Sequence, residues 1–328
     1  MNYRTLGKTG WRISEISLGT WQVGGRWGSP FNQASAEQIL HKAIDLGINF
    51  IDTADVYSQG LSESVVGKVV RQRPEEVYVA TKCGRQLNPH TAEGYNEQNI
   101  RHFVDQSLQN SGLEKLDLIQ LHCPPTAVYE REEVFGVLEQ LKQEGKIRHF
   151  GVSVEKVSEA MRALQYPGLA SVQIIFNMFR HKPAEAFFVA AKAANVGILA
   201  RVPLASGLLS GKYSRHTHFA AGDHRHFNRK GEAFDKGETF SGVDYEQGLE
   251  AVEALKKALH AENKLHLYAL KWILMFEEVS CVIPGASRVE QVVDNVAAAE
   301  LPPLTAEQMQ AVRAIYERYF RAQVHHQW

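Results

Sequence analysis

"SAEQILHKAIDLGINFIDTADVY", residues 35–57, joins a helix pattern directly to a strand pattern. Up to Gly47, residues Ile39, Leu40, Ala43, Ile44 and Leu46 recur at three- and four-residue spacing, which predicts one apolar helix face. Ser35 is the expected N-terminal cap, Glu37 and Gln38 lie in the first turn, and Gly47 supplies the stop. The next five residues, "INFID", form an apolar run of strand type that ends on a carboxylate, Asp52. Asp55 and a phenol, Tyr57, follow within five positions. A buried strand has no packing reason to close on such groups, so the junction marks a polar strand end.

The same unit recurs outward along the chain. Strand-type runs are expected at 13–19, 48–52, 77–82, 116–122, 147–153, 170–176, 197–202 and 280–285. Helix-type segments lie between them at 35–47, 62–71, 96–112, 131–144, 155–165, 183–195, 246–260 with 265–276, and 288–298. Strict alternation predicts a parallel sheet, and strands that are apolar throughout are buried on both faces. Eight units in 328 residues predict an α/β fold, a parallel (β/α)8 TIM barrel forming one domain over 1–328. A doubly wound open sheet is the competitor, but no G-x-G-x-x-G supports it. Outside the repeat, "YRTLGKTGWRIS" predicts an N-terminal β-hairpin capping the barrel floor. The long loop after strand 7, residues 213–245, is polar and aperiodic, as expected of a functional or mobile element such as a lid. An extra C-terminal helix, 305–321, begins at Thr305.

Composition narrows the class. The chain is 44% hydrophobic and 22% charged, with a formal net charge of −1. That is ordinary for a globular protein and gives no sequence-wide field to draw nucleic acid or an anionic membrane. Cys83, Cys123 and Cys281 are odd in number and far apart, without disulfide or zinc spacing. No secretory h-region opens the sequence and no apolar window is long enough to span a bilayer, so a reducing, cytoplasmic location is expected.

In a (β/α)8 barrel, chemistry sits where strands end and βα loops begin. Strand two ends in Asp52 with Tyr57 in the next loop, strand three in Lys82, and strand four in His122. Each alone has an ordinary reading: a turn cap, a packing ring, a solvent-reaching amine, a satisfied core imidazole. Together, from three adjacent strands, they make a proton donor. A phenol near pKa 10 is too weak an acid at neutral pH, and a neighbouring ammonium is expected to lower it. A carboxylate would hold that ammonium, and a neutral imidazole would steer a carbonyl oxygen. Reduction would still need a hydride from a bound cofactor.

These residues resemble the aldo-keto reductase family over nearly the whole chain. "FIDTADVY", "ATK" (80–82) and "LIQLH" (118–122) are similar to the segments carrying its catalytic groups. "GKIRHFGVS" (145–153), "VQIIFN" (172–177), "PLASGLLSGKY" (203–213) and "IPGASRVEQVVDN" (283–295) follow in the family's order. The resemblance implies Tyr57 as general acid, assisted by Lys82, Asp52 and His122, with a nicotinamide cofactor and a small-molecule carbonyl substrate. It implies Thr20 and Trp21 on the nicotinamide side, Asp52 on the ribose, and Ser153 and Gln173 on the carboxamide. Leu204, Ser206, Gly207 and Lys212 would drape the pyrophosphate, and Gly285, Ser287, Arg288, Gln291 and Asn295 would meet the adenosine end. Arg288 beside Ser287 at a helix start suits a 2′-phosphate, favouring NADPH over NADH. Two positions depart from the family pattern: Val154 replaces an asparagine, and Arg201 stands where an aromatic ring stacks on the nicotinamide. Trp21, Trp27 and Tyr129 are the expected aromatic walls of a substrate pocket.

Other signals carry less. "SGLLSGKY" lacks the first glycine of a phosphate loop and has Tyr213 after the lysine. His216, His218, His224 and His226 form two H-x-H pairs that could hold a metal, though a polar loop explains them, and no metal site is expected. Two competing functions stay open: a cofactor-binding sensor or regulatory subunit with little turnover, like the family's potassium-channel β-subunit branch, and a lyase forming a Schiff base on Lys82.

Overall fold

The structure is a computed structural model and describes residues 1–25 and 30–328. Trp27 therefore lies outside the described residues. The chain opens with a hairpin, β1 (Tyr3–Thr5) and β2 (Arg12–Ser14), paired antiparallel with Tyr3 opposite Ser14. Eight parallel strands follow: β3 (Leu18–Gly19), β4 (Phe50–Asp52), β5 (Tyr78–Cys83), β6 (Leu116–His122), β7 (Ile147–Ser153), β8 (Leu169–Ile175), β9 (Gly197–Arg201) and β10 (Val279–Val282). They lie side by side in chain order. The bridges Ile16–Val282 and Gly19–Gly285 bring the last strand against the first, so the sheet closes as a (β/α)8 barrel.

One boundary differs from the expected strand over 13–19. Glu15 N donates to Asn2 O, while Ser17 N donates to Val282 O. The backbone thus changes partners within that run, giving its first half to the hairpin and its second to the barrel.

The outer ring consists of α1 (Gln33–Asp45), α2 (Leu61–Gln72), α3 (Glu97–Ser111), α4 (Glu132–Gln143), α5 (Val157–Ala163) and α6 (Phe187–Ala193). It continues through α8 (Tyr245–Leu259), α9 (Leu265–Leu274) and α10 (Val289–Ala297), while the short α7 (His224–Phe227) belongs to the long segment at the mouth and α11 (Ala306–Tyr319) and α12 (Arg321–Val324) close the chain. Helix α1 buries Ala36, Ile39, Leu40, Ala43 and Ile44 against the sheet. Each fully buried Ile or Leu contributes roughly 1.5–3 kcal/mol. The cap is Asn32, not Ser35: Asn32 Oδ1 accepts from Ser35 N at 2.9 Å, so the helix starts earlier than expected. Gly47 follows at φ 87°, a conformation costly for residues bearing a Cβ.

The extra C-terminal helix, α11, starts from a capping box between Thr305 and Gln308 and lies against α8 outside the barrel. Residues 213–245 are more ordered than their composition suggests. Asn228 Oδ1 accepts from Ala233 N and Phe234 N, and Glu238, Thr239, Phe240 and Ser241 are buried. On its outer side, Trp328 Nε1 donates to Asp235 Oδ1 at 2.9 Å while the Trp328 ring lies 4.0 Å from the Arg180 guanidinium.

Candidate active site

Strand parity selects which side chains enter the barrel. Trp11 of the hairpin stacks on Tyr78 at 4.5 Å and meets His149 edge-on at 4.8 Å, so both point inward at the floor. Successive side chains alternate sides, so Ala80 and Lys82 share Tyr78's face, and Gly151 and Ser153 share His149's. Leu118, Gln120 and His122 follow the same rule on β6. Register sets Lys82 beside Gln120, His122 beside Ser153, and Ser153 beside Gln173. The floor is apolar and the C-terminal rim polar because each strand changes character within its last inward positions.

At that rim, Lys82 Nζ donates to Asp52 Oδ2 at 2.5 Å, to Thr53 O at 2.8 Å and to Tyr57 Oη at 3.5 Å. Asp52 Oδ1 accepts from Gln173 Nε2 at 2.8 Å and Gln120 Nε2 at 3.4 Å. A buried carboxylate is tolerable only when both oxygens are bonded in this way. The Tyr57 ring meets His122 at 6.1 Å in an edge arrangement. All four predicted catalytic side chains therefore gather at one place.

Tyr57 owes its position to backbone strain. Ser58 (φ 48°), Gln59 (φ 57°) and Gly60 (φ 85°) are consecutive left-handed residues between Tyr57 and α2. The two non-glycine residues cost about 1–2 kcal/mol each, a penalty concentrated where the chain aims its phenol.

Electrostatics correct one expectation. Burial raises the Tyr57 pKa, and although Lys82 opposes this the net shift is upward. The phenol is thus held protonated at neutral pH. Burial acts to neutralise Lys82, but the Asp52 carboxylate and the Tyr57 oxygen, with their hydrogen bonds, together outweigh it and the lysine pKa rises. An ion-paired ammonium is the wrong form for attack on a carbonyl, which weighs against the Schiff-base reading. His122 is held well below the usual imidazole range by burial and by Arg85, Lys82 and Arg201, so its ring is neutral.

A second polar cluster, absent from the sequence reading, closes the rim above His122. Arg201 Nη2 pairs with Glu155 at 2.9 Å and donates to Val154 O at 3.1 Å, and Arg201 Nη1 reaches Glu238 at 3.4 Å. Arg85 bonds Glu238 and pairs with Glu155 at 3.3 Å. Burial and the adjoining Glu238 push Glu155 up to about 8, against the pull of Arg201. Burial acts on Glu238 too, but Arg85 and Arg201 hold it well below the usual range. The histidine pairs do not converge: His224 turns inward against Trp21 at 4.9 Å, while His216, His218 and His226 are exposed.

The expected cofactor positions fall into two groups. Thr20 Oγ1 donates to Asp52 O and accepts from Ser62, and Ser153 Oγ lies 3.4 Å from Cys123 Sγ, both buried. Ser206 Oγ donates to Glu238 O and accepts from Phe240 N, tying the 203–212 loop to the long segment. Gly207 has no room for a Cβ, which would sit 2.3 Å from Tyr213 Oη. Leu204 is partly exposed and Lys212 exposed. At the other end, Ser287 N and Oγ donate to Gln291 Oε1, and Asn295 Nδ2 donates to Gly285 O. Arg288 caps α10 without a side-chain cap bond, and its exposed guanidinium has no partner among the described residues. That free cation beside the start of α10 fits a phosphate.

Tyr129 does not line a pocket. It is fully buried, its hydroxyl donates to Ser153 O at 3.3 Å, and it supports β7 from behind. Trp21 remains at the mouth, its ring parallel to Tyr57 at 6.3 Å.

Residues 15–317 match the model of the Aldo/keto reductase family. The aldo-keto reductase YhdN of Bacillus subtilis is 31% identical over 299 residues, covering 89% of this chain and 86% of its own. A probable voltage-gated potassium channel subunit beta of Oryza sativa is 28% identical, covering 97% of each. Among solved structures, the holo form of aldo-keto reductase AKR11C1 from Bacillus halodurans superimposes with a TM-score of 0.79, at 28% identity over 99% of both chains.

Proposed function

Because this chain belongs to the aldo/keto reductase family, we propose that it reduces an aldehyde or ketone to the alcohol, reversibly, using NADPH and a proton from Tyr57. The observation that carries this reading is the chain of contacts Asp52–Lys82–Tyr57 at the rim, 2.5 and 3.5 Å long. When bound, the nicotinamide supplies the hydride. The protein's own residues do the rest. Tyr57 stores the proton and releases it as negative charge grows on the carbonyl oxygen. Lys82, kept charged by Asp52, stabilises the phenolate that remains. His122, a neutral ring beside Tyr57, orients the carbonyl oxygen. Gln120 and Gln173 fix Asp52 so that the lysine cannot swing away.

Arg288 and the start of α10 would hold the adenosine 2′-phosphate, which supports NADPH over NADH. Arg201, paired with Glu155 and Glu238, presents its guanidinium to the nicotinamide side in place of a ring. The test is a panel of aldehydes and ketones followed at 340 nm with NADPH and NADH. Sustained oxidation of NADPH by at least one carbonyl compound is expected; none with either cofactor would overturn the assignment. A second reading, a redox sensor, is favoured by the similarity to the channel subunit. It predicts one stoichiometric oxidation of bound NADPH and no further turnover.

A further inference from the structure

With Tyr129 buried, the aromatic surface at the mouth has to come from elsewhere, and the long segment supplies it. Phe234 stands edge-on to Trp21 at 6.3 Å and lies 6.3 Å from His224. On its other side, the Arg85 guanidinium lies 6.0 Å from the Phe234 ring. Trp21 follows β3 and Arg85 follows β5, so Phe234 bridges the loops after the first and third barrel strands at the mouth. Its backbone is fixed by Asn228 Oδ1, and Arg85 is committed to Glu238.

Resting on the carbonyl-reductase reading, we propose that Phe234 is a specificity-determining residue which, with Trp21 and with the buried His224 packed against both, builds an aromatic wall at the mouth beside Tyr57 and selects planar, ring-bearing aldehydes. Trp21 joins the wall to the proton donor, since its ring is parallel to that of Tyr57. His224 is held down to about 4 by burial, so the wall is uncharged at neutral pH. A flat substrate ring gains edge or face contacts with Trp21 and Phe234, and a small aliphatic aldehyde reaches less of that surface.

The experiment compares wild type, Phe234→Ala and Phe234→Leu with NADPH on 4-nitrobenzaldehyde and propanal. In parallel, 4-hydroxybenzaldehyde binding is measured by calorimetry with and without NADP+. Wild type should favour the aromatic aldehyde in kcat/KM. Phe234→Ala should lose about 10-fold of that preference, mainly through KM, while propanal changes less than about two-fold. Phe234→Leu, apolar but not planar, should restore thermal stability without restoring the preference. Equal losses on both aldehydes, or unchanged 4-hydroxybenzaldehyde affinity in Phe234→Ala, would overturn the proposal. If wild type reduces propanal but does not bind the aromatic ligand, the wall is refuted and the reductase reading survives. If it reduces neither yet binds that ligand through Phe234, the wall stands and the reductase reading falls.

Discussion

Asp55 sits between the two residues that define the site, Asp52 and Tyr57, yet it does nothing for the proton relay. The residue is 1% exposed, and neither carboxylate oxygen has a side-chain hydrogen-bond partner among the described residues. Burial, reinforced by the nearby charge of Glu63, pushes its pKa from 3.8 up to about 7. Folding therefore keeps Asp55 neutral over a pH range in which the unfolded chain ionises. As pH rises from about 4 to 7, the unfolded state sheds a proton that the native state retains, so stability falls. A carboxyl moved that far costs roughly 4 kcal/mol above pH 7, about 3 of which arise between pH 5 and pH 8. Asp55→Asn removes this titration. Urea unfolding of both proteins at pH 5 and pH 8 should show the variant gaining about 3 kcal/mol relative to wild type on going to the higher pH. Comparing the two proteins cancels every other titrating group that they share. A difference between variant and wild type that is the same at both pH values, within about 0.5 kcal/mol, would refute this account of Asp55.

The remaining expectations concern the site. Arg288→Ala should weaken NADPH binding by roughly 1–3 kcal/mol and leave NADH nearly unchanged, measured by fluorescence titration; equal losses would remove the 2′-phosphate argument. Glu155, raised to about 8 by burial, keeps one proton within the Glu155–Glu238 pair below that pH. Closure of the 213–245 segment should therefore loosen progressively as pH rises from about 5 and level off above about 8. Trypsin cleavage within the segment should accelerate from pH 6 to 8 in wild type, after correction for the enzyme's own pH dependence, flatten above pH 8, and change little with pH in Glu155→Gln.

Much of this was legible in the residues. The eight strands announce themselves because each is a short apolar run between turn-forming residues, and burial on both faces removes any ambiguity of side. Asp52, Lys82 and His122 stand out because a polar group ending such a run has no core to join. Gln120 was within reach of the same logic: it lies two residues before His122 and so shares its face. The rim cluster was not. Arg85 and Glu238 are 153 residues apart, and each sits in an aperiodic loop where a charged residue normally faces water. Only the fold of the long segment across the mouth brings them together. Asn32 and Ser35 are equally good caps on paper, and the choice went to whichever let the helix add a turn. Tyr129 misled because a loop aromatic reads alike whether it faces a pocket or the core.

Tyr57→Phe removes one oxygen and leaves Asp52, Lys82, His122 and every proposed cofactor contact in place. Single-turnover reduction of an active aldehyde, followed at 340 nm in protein preloaded with NADPH, reads that oxygen's contribution directly. NADPH affinity should stay within about two-fold, while the reduction rate falls by about a hundred- to ten-thousand-fold. A variant that reduces the aldehyde at the wild-type rate would contradict the assignment of the proton donor, and with it the chemistry proposed for this barrel.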